Sequence, residues 1–200
     1  MKNILLIVMM GIGLMAHSQL DRVKPLDLEL TVLHAKWQAT QKVTYDGSYR
    51  QIDYPNGDVP ANIGACTDVI IRAYRAGGVD LQELVHESVK KNHKYYYPNP
   101  TKYYGLNPDS NIDHRRVMIL KKFLKLHYPK SELGLYDMWK PGDLIIWGNW
   151  HIGMLIADKV PGTDRYYCVH NMGSGPVVED LYYDEINPME YDMKCFRFKF

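Results

Sequence analysis

The hydrophobic period of this chain changes at Pro141-Gly142, and that change limits the fold more than any other feature. Upstream, apolar residues recur at three- and four-residue spacing, as in helices packed by one face. Downstream they fall into short runs and alternating stretches broken by turn residues, as in strands. Helices first and antiparallel strands second predict an α+β domain.

Leu26, Leu30, Leu33 and Trp37 place an amphipathic helix over 26–42, ahead of the main fold. Asn56-Gly57, between Pro55 and Pro60, marks an irregular turn region. Asn62-Ile63-Gly64-Ala65 leads into a second helix that starts at Cys66 and ends near Gly77-Gly78. Asp80 and Glu83 form a capping pattern for a third, with Leu81, Leu84, Val85 and Val89 inward. A tyrosine-rich loop from His93 to Ser110 follows, either lining a cleft or packed. Asp113-His114-Arg115-Arg116 opens the next helix, with Val117, Leu120, Phe123 and Leu124 on one face. Strands are predicted over 143–147, 151–157, 165–171, 177–183 and 194–200, with a hairpin turn at Val160-Pro161-Gly162-Thr163-Asp164.

Lys2, the apolar run from Ile4 to Met15, and Ala16-His17-Ser18 read as a secretory signal peptide cleaved after Ser18. The apolar run is shorter than the roughly 20 residues a spanning helix needs. No cysteine follows it, so a lipid-anchored mature terminus is not expected. The expectation is an exported protein, periplasmic or secreted, with a helix over 19–44 and one domain over 45–200.

The chain has 24 Lys and Arg against 23 Asp and Glu, and Lys2 is one of the basic residues, so the mature form is formally neutral. A neutral chain lacks the clustered basic excess that nucleic acid or an anionic membrane would need. Of three cysteines, Cys168 and Cys195 could pair and leave Cys66 as a thiol, or all three could be reduced. Asp53, Asp58, Asp113 and His114 do not form a metal-ligand spacing, so neither a metal nor a cofactor is expected.

Cys66 is the chemical centre of the sequence. It stands at a helix start, where unpaired N–H groups favour an anion and can lower a thiol's pKa. His151 opens one strand and His170 lies near the end of the next, so a hairpin could bring the two rings together. A thiol nucleophile, a base and a group that orients the base form the set required for nucleophilic catalysis. Arg115 and Arg116 admit two readings, an anion clamp or salt bridges to acidic residues elsewhere.

The order Cys66-Thr67-Asp68-Val69, Pro141-Gly142-Asp143-Leu144, His151-Ile152-Gly153 and Val169-His170 resembles the papain-like NlpC-type cell-wall peptidase superfamily. Gly57-Asp58-Val59-Pro60 and Asn111-Ile112-Asp113-His114-Arg115-Arg116 extend the likeness to an exported bacterial branch, domain-of-unknown-function family 1287. The resemblance implies a papain-like α+β fold with Cys66 as nucleophile, His151 as base and His170 as the orienting residue. Tyr45, in the Tyr45-Asp46-Gly47-Ser48-Tyr49 stretch where the likeness begins, is a candidate substrate contact together with Asp68, Arg115 and Arg116 of these motifs. The wider superfamily usually carries Asp-Cys-Ser-Gly at the nucleophile, whereas here the acidic residue is Asp68, on the other side of Cys66. The implied activity is cleavage of an amide in cell-wall peptides. A thiol acyltransferase or a non-catalytic cell-wall binding module would use the same scaffold.

Overall fold

The computed structural model describes residues 25–98, 107–134, 138–180 and 192–197. The leader, positions 99–106 of the tyrosine-rich loop, positions 181–183 of the fourth expected strand and positions 198–200 of the last lie outside the described residues.

The elements run α1 (Leu28–Gln38), β1 (Thr44–Tyr45), β2 (Ile63–Gly64), α2 (Cys66–Ala76), α3 (Leu81–Lys91), α4 (His93–Tyr96), a 3₁₀ turn (Asp113–Arg115), α5 (Val117–His127), β3 (Glu132–Leu133), β4 (Leu144–Trp147), β5 (His151–Lys159), β6 (Tyr166–Asn171), β7 (Pro176–Glu179) and β8 (Met193–Phe196). Helices therefore precede a six-stranded sheet of order β3-β8-β4-β5-β6-β7. All of its pairings are antiparallel. Among the described residues, no helix is long and apolar enough to cross a membrane.

Strand alternation sorts the sheet residues onto two faces. Leu144, Ile146, Ile152, Met154, Ile156, Val169 and Phe196 join the helices in one core. Ile145, Trp147, Leu155, Cys168, Met193 and Cys195 form a second, smaller cluster. None of the three cysteines is in a disulfide, so Cys168 and Cys195 are buried thiols.

α1 departs from the expected pattern. Its buried residues are Thr31, Val32, Ala35 and Gln38, while Leu30, Leu33 and Trp37 are exposed. Two apolar stripes run along this helix, and packing selects the one with smaller side chains. Val32 and Ala35 join the core, and Gln38 Nε2 donates to the Val69 carbonyl of α2 at 2.9 Å. The described part of the tyrosine-rich segment also turns inward, with Tyr96 and Tyr97 buried.

Candidate active site

The segment before α2 is held from two sides. β1 and β2 pair in parallel, with Tyr45 opposite Gly64. The Gly64 carbonyl accepts from Asp46 N–H at 3.2 Å and from Asn171 Nδ2 at 2.9 Å. Ala65 is the N-cap of α2 and has no side-chain acceptor to offer. Asp68, at the third helical position, accepts the Ala65 N–H at 2.6 Å and so supplies half of a capping box.

Cys66 is the first helical residue and is buried. Burial pushes its thiol above the ordinary cysteine range, and the Asp68 carboxylate adds to that rise. The N–H groups of Ile152, Thr67 and Cys66 itself lie close enough to the sulfur to offset part of it. Desolvation therefore outweighs the helix N-terminus, contrary to the lowered thiol expected from sequence. The Ile152 contact sets the sulfur against the backbone at the start of β5, one residue after His151.

His151 Nε2 and His170 Nδ1 meet at 2.9 Å, and both rings are buried. The register explains the contact. His170 pairs with Gly153, so His151, two residues earlier on the same face, is its diagonal neighbour. A Cβ at position 153 would lie 2.5 Å from Cys168 Sγ and 3.1 Å from His170 Cβ. The His-Ile-Gly spacing thus provides both a ring and the gap beside it.

Trp147 lies tilted against His151, with centroids 5.1 Å apart, and Trp150 stacks on the same ring at 5.6 Å and 28°. Trp147 is buried, whereas Trp150 is 53% exposed. Burial in this pocket lowers the His151 pKa to about 3, and His170 adds to the effect. Burial also lowers the His170 pKa, with Glu179 opposing. Both imidazoles are neutral at pH 7.

Glu179 is a member of this cluster that sequence reading missed. Its Oε2 lies 3.2 Å from His170 Nε2. In the β6–β7 register His170 faces Val177 and Cys168 faces Glu179, which puts Glu179 diagonal to His170. Trp147, Trp150 and Asn171 were missed as well. Two Trp residues shortly before His151 were visible in the sequence, but ring orientation was not.

The four expected substrate contacts divide. Tyr45 is 42% exposed. Burial, with the nearby Cys66 and Asp68, raises its pKa, so the phenol keeps its proton and remains a donor. Asp68 and Arg115, by contrast, are buried against each other. Arg115 Nε donates to Asp68 Oδ1 at 2.8 Å and its Nη2 to Oδ2 at 2.9 Å. Further donors reach the Ser48 and Asp46 carbonyls. This is the salt-bridge reading of the arginine motif, not an open clamp. Arg116 donates to the Tyr97 hydroxyl at 3.0 Å and pairs with Asp113, its side chain partly exposed. Asp113 is fully buried and also accepts from Tyr97 and from the Asp109 N–H.

Among the described residues no group of three or more His, Cys, Asp or Glu side chains is arranged to hold a metal ion.

The fold and site define a mixed α/β domain in which a helix-start cysteine reaches the start of β5, and a buried histidine pair joins β5 to β6 inside an antiparallel sheet. The chain belongs to the family described as "Domain of unknown function (DUF1287)", whose profile matches residues 32–191 and so includes every residue of the candidate site. It is similar to "Uncharacterized protein YijF" of Escherichia coli (strain K12), at 38% identity over 155 residues, which is 75% of this chain and 74% of that protein.

Proposed function

We propose that this protein is an exported cysteine amidase or peptidase of the papain-like NlpC type, cleaving an amide bond in cell-wall peptides. The observation that carries the reading is the buried His151–His170 contact on the strand start that the Cys66 sulfur reaches through the Ile152 N–H. His170 engages one ring nitrogen of His151 and leaves Nδ1 for the thiol proton. Cys66 Sγ attacks the amide carbonyl as that proton passes to His151. The tetrahedral oxyanion is met by N–H groups at the start of α2, with the Tyr45 hydroxyl as a further donor. Collapse breaks the C–N bond, His151 returns its proton to the leaving amine, and a thioester remains. Water then adds to the thioester, its proton passing through His151, to release the acid and restore the thiol.

Both partners start neutral, so proton transfer accompanies attack and no resting ion pair is required. Trp150 offers an exposed flat ring next to His151, a suitable wall for a sugar or peptide group. Lys2, the apolar run and Ala16-His17-Ser18 support export with cleavage after Ser18.

The test is mass spectrometry of purified cell-wall fragments incubated with wild type, Cys66→Ala, His151→Ala and His170→Asn. Cleavage by wild type, lost in Cys66→Ala and His151→Ala and reduced in His170→Asn, is the expected result. Products that appear only when an amine acceptor is added would make the enzyme an acyltransferase. Binding without any product would make it a cell-wall binding module.

A further inference from the structure

The histidine pair poses a question of proton placement that the nucleophile and base do not answer. Two neutral imidazoles joined by one N···N hydrogen bond have two arrangements. Either His151 Nε2–H donates to His170 Nδ1, or His170 Nδ1–H donates to His151 Nε2. A neutral ring carries only one N–H, so each arrangement fixes the opposite nitrogen of each ring. In the first, His151 Nδ1 is a bare lone pair. In the second, His151 Nδ1 carries the proton and cannot accept another. Only the first leaves His151 able to take the proton of a thiol.

Glu179 separates the two. Its Oε2 lies 3.2 Å from His170 Nε2, and a carboxylate can only accept. That contact requires the His170 proton on Nε2, so His170 Nδ1 becomes the acceptor toward His151. His151 must then donate from Nε2, and Nδ1 is left bare. We propose that Glu179 is a positioning residue that fixes the tautomers of both histidines and holds His151 in its base-competent form.

The placement fits this task. Both rings are buried, while the Glu179 side chain is 56% exposed. A half-solvated carboxylate can face the buried ring without the cost of a fully buried charge. β7 supplies it on the same sheet face as His170, through register alone. The chain of contacts thus runs from solvent at Glu179, through His170, to His151 at the start of β5.

The catalytic consequence rests on the amidase reading above, whereas the tautomers belong to the folded protein without substrate. Uniformly ¹⁵N-histidine-labelled protein, studied by long-range ¹H–¹⁵N correlation at pH 7, reports which ring nitrogen carries the proton. Assignment comes from His151→Ala and His170→Asn. In wild type, His151 and His170 should both be Nε2–H. Glu179→Gln can donate its amide to His170 Nε2, which should drive both rings toward Nδ1–H. Glu179→Ala should leave a mixture. Far-ultraviolet circular dichroism and Tm should stay near wild type in both, because the side chain is largely solvated.

In a cleavage assay Glu179→Gln should lower kcat by about 10–100-fold with KM little changed. Exchanging a triad carboxylate for its amide costs more, but this one acts through an intervening imidazole and is half exposed. A wild-type His170 found as Nδ1–H, or tautomers unmoved in both variants, overturns the proposal even if cleavage is observed. Shifted tautomers in a protein that cleaves nothing would uphold Glu179 as the tautomer lock and remove the amidase reading instead.

Discussion

Asn171 Nδ2 donates to the Gly64 carbonyl at 2.9 Å, across 107 positions of sequence, and so ties the end of the His170 strand to the turn that delivers Cys66. Asn171 is fully buried, and its own carbonyl accepts the Gly173 N–H at 3.2 Å. The thiol and the histidine pair come from different layers of the fold, and this one amide spans them.

Asn171→Ala should cost about 1–3 kcal/mol of stability, because both of its hydrogen bonds are lost in a dry environment. Asn171→Asp should cost more, since a carboxylate cannot donate to Gly64 and brings a charge into a buried position. Urea unfolding gives the order directly. An Asp variant as stable as wild type would show that the bridge is dispensable.

The Asp68–Arg115 pair joins the α2 N-terminus to the 3₁₀ turn through one bidentate contact, and Arg115 adds the 46–48 segment by donating to the Ser48 and Asp46 carbonyls. Removing either partner strands a buried charge, so Asp68→Ala and Arg115→Ala should each lose about 3–5 kcal/mol. Arg115→Lys should also be destabilised, because an ammonium lacks the two-pronged geometry. Thermal melts test this. A substrate clamp would behave otherwise, with an unchanged Tm and a raised KM.

Sequence reading singled out candidate site residues more readily than their contacts. Cys66, His151 and His170 stood out because each begins or ends an element that its neighbours specify. The β5–β6 hairpin was legible from alternation and from the turn at 160–164, and strands 144–147 and 151–159 fall within two residues of the expected bounds. Glu179 was hidden because only the β6–β7 register sets it beside His170. Asp68 and Arg115 are 47 positions apart, so each could be read as reaching for substrate. α1 was misread because Leu30, Leu33 and Trp37 have the same helical spacing as the smaller residues that pack. The direction of the Cys66 shift was hidden too, since a helix start is recognisable in sequence and the depth of burial is not.

Stability should fall with acid through the buried histidines. Burial lowers the His114 pKa from 6.5 to about 4, and His151 shifts the same way. Between those values the unfolded chain binds a proton that the folded one refuses. The neutral ring's contribution is therefore intact above pH 6.5 and is lost as pH falls toward 4. From pH 6.5 to 5, His114 alone should cost on the order of 2 kcal/mol. His114→Gln should narrow the gap between urea midpoints at pH 7 and pH 5, whatever it does to stability at pH 7. An unchanged gap would mean that the ring is protonated in the fold.

The last prediction concerns the resting state of the proposed nucleophile. A thiolate–imidazolium pair would make Cys66 alkylation fast and nearly flat with pH across the neutral range. The plateau would disappear in His151→Ala. The structure sets the opposite conditions, because burial raises the thiol and holds His151 neutral down to about pH 3. A neutral imidazole offers the sulfur no positive charge. Iodoacetamide modification of Cys66 should therefore climb steadily from pH 7 to pH 10, by about tenfold per unit while thiolate is the minor form. The pH profile in His151→Ala should keep its shape, even though the proposed turnover should be abolished. Cys168 is fully buried and its thiol is pushed up further still, so it should remain unmodified until the protein unfolds. Peptide mapping across the pH series distinguishes the two pictures. A plateau below pH 8 that His151→Ala removes would replace concerted proton transfer with a preformed ion pair.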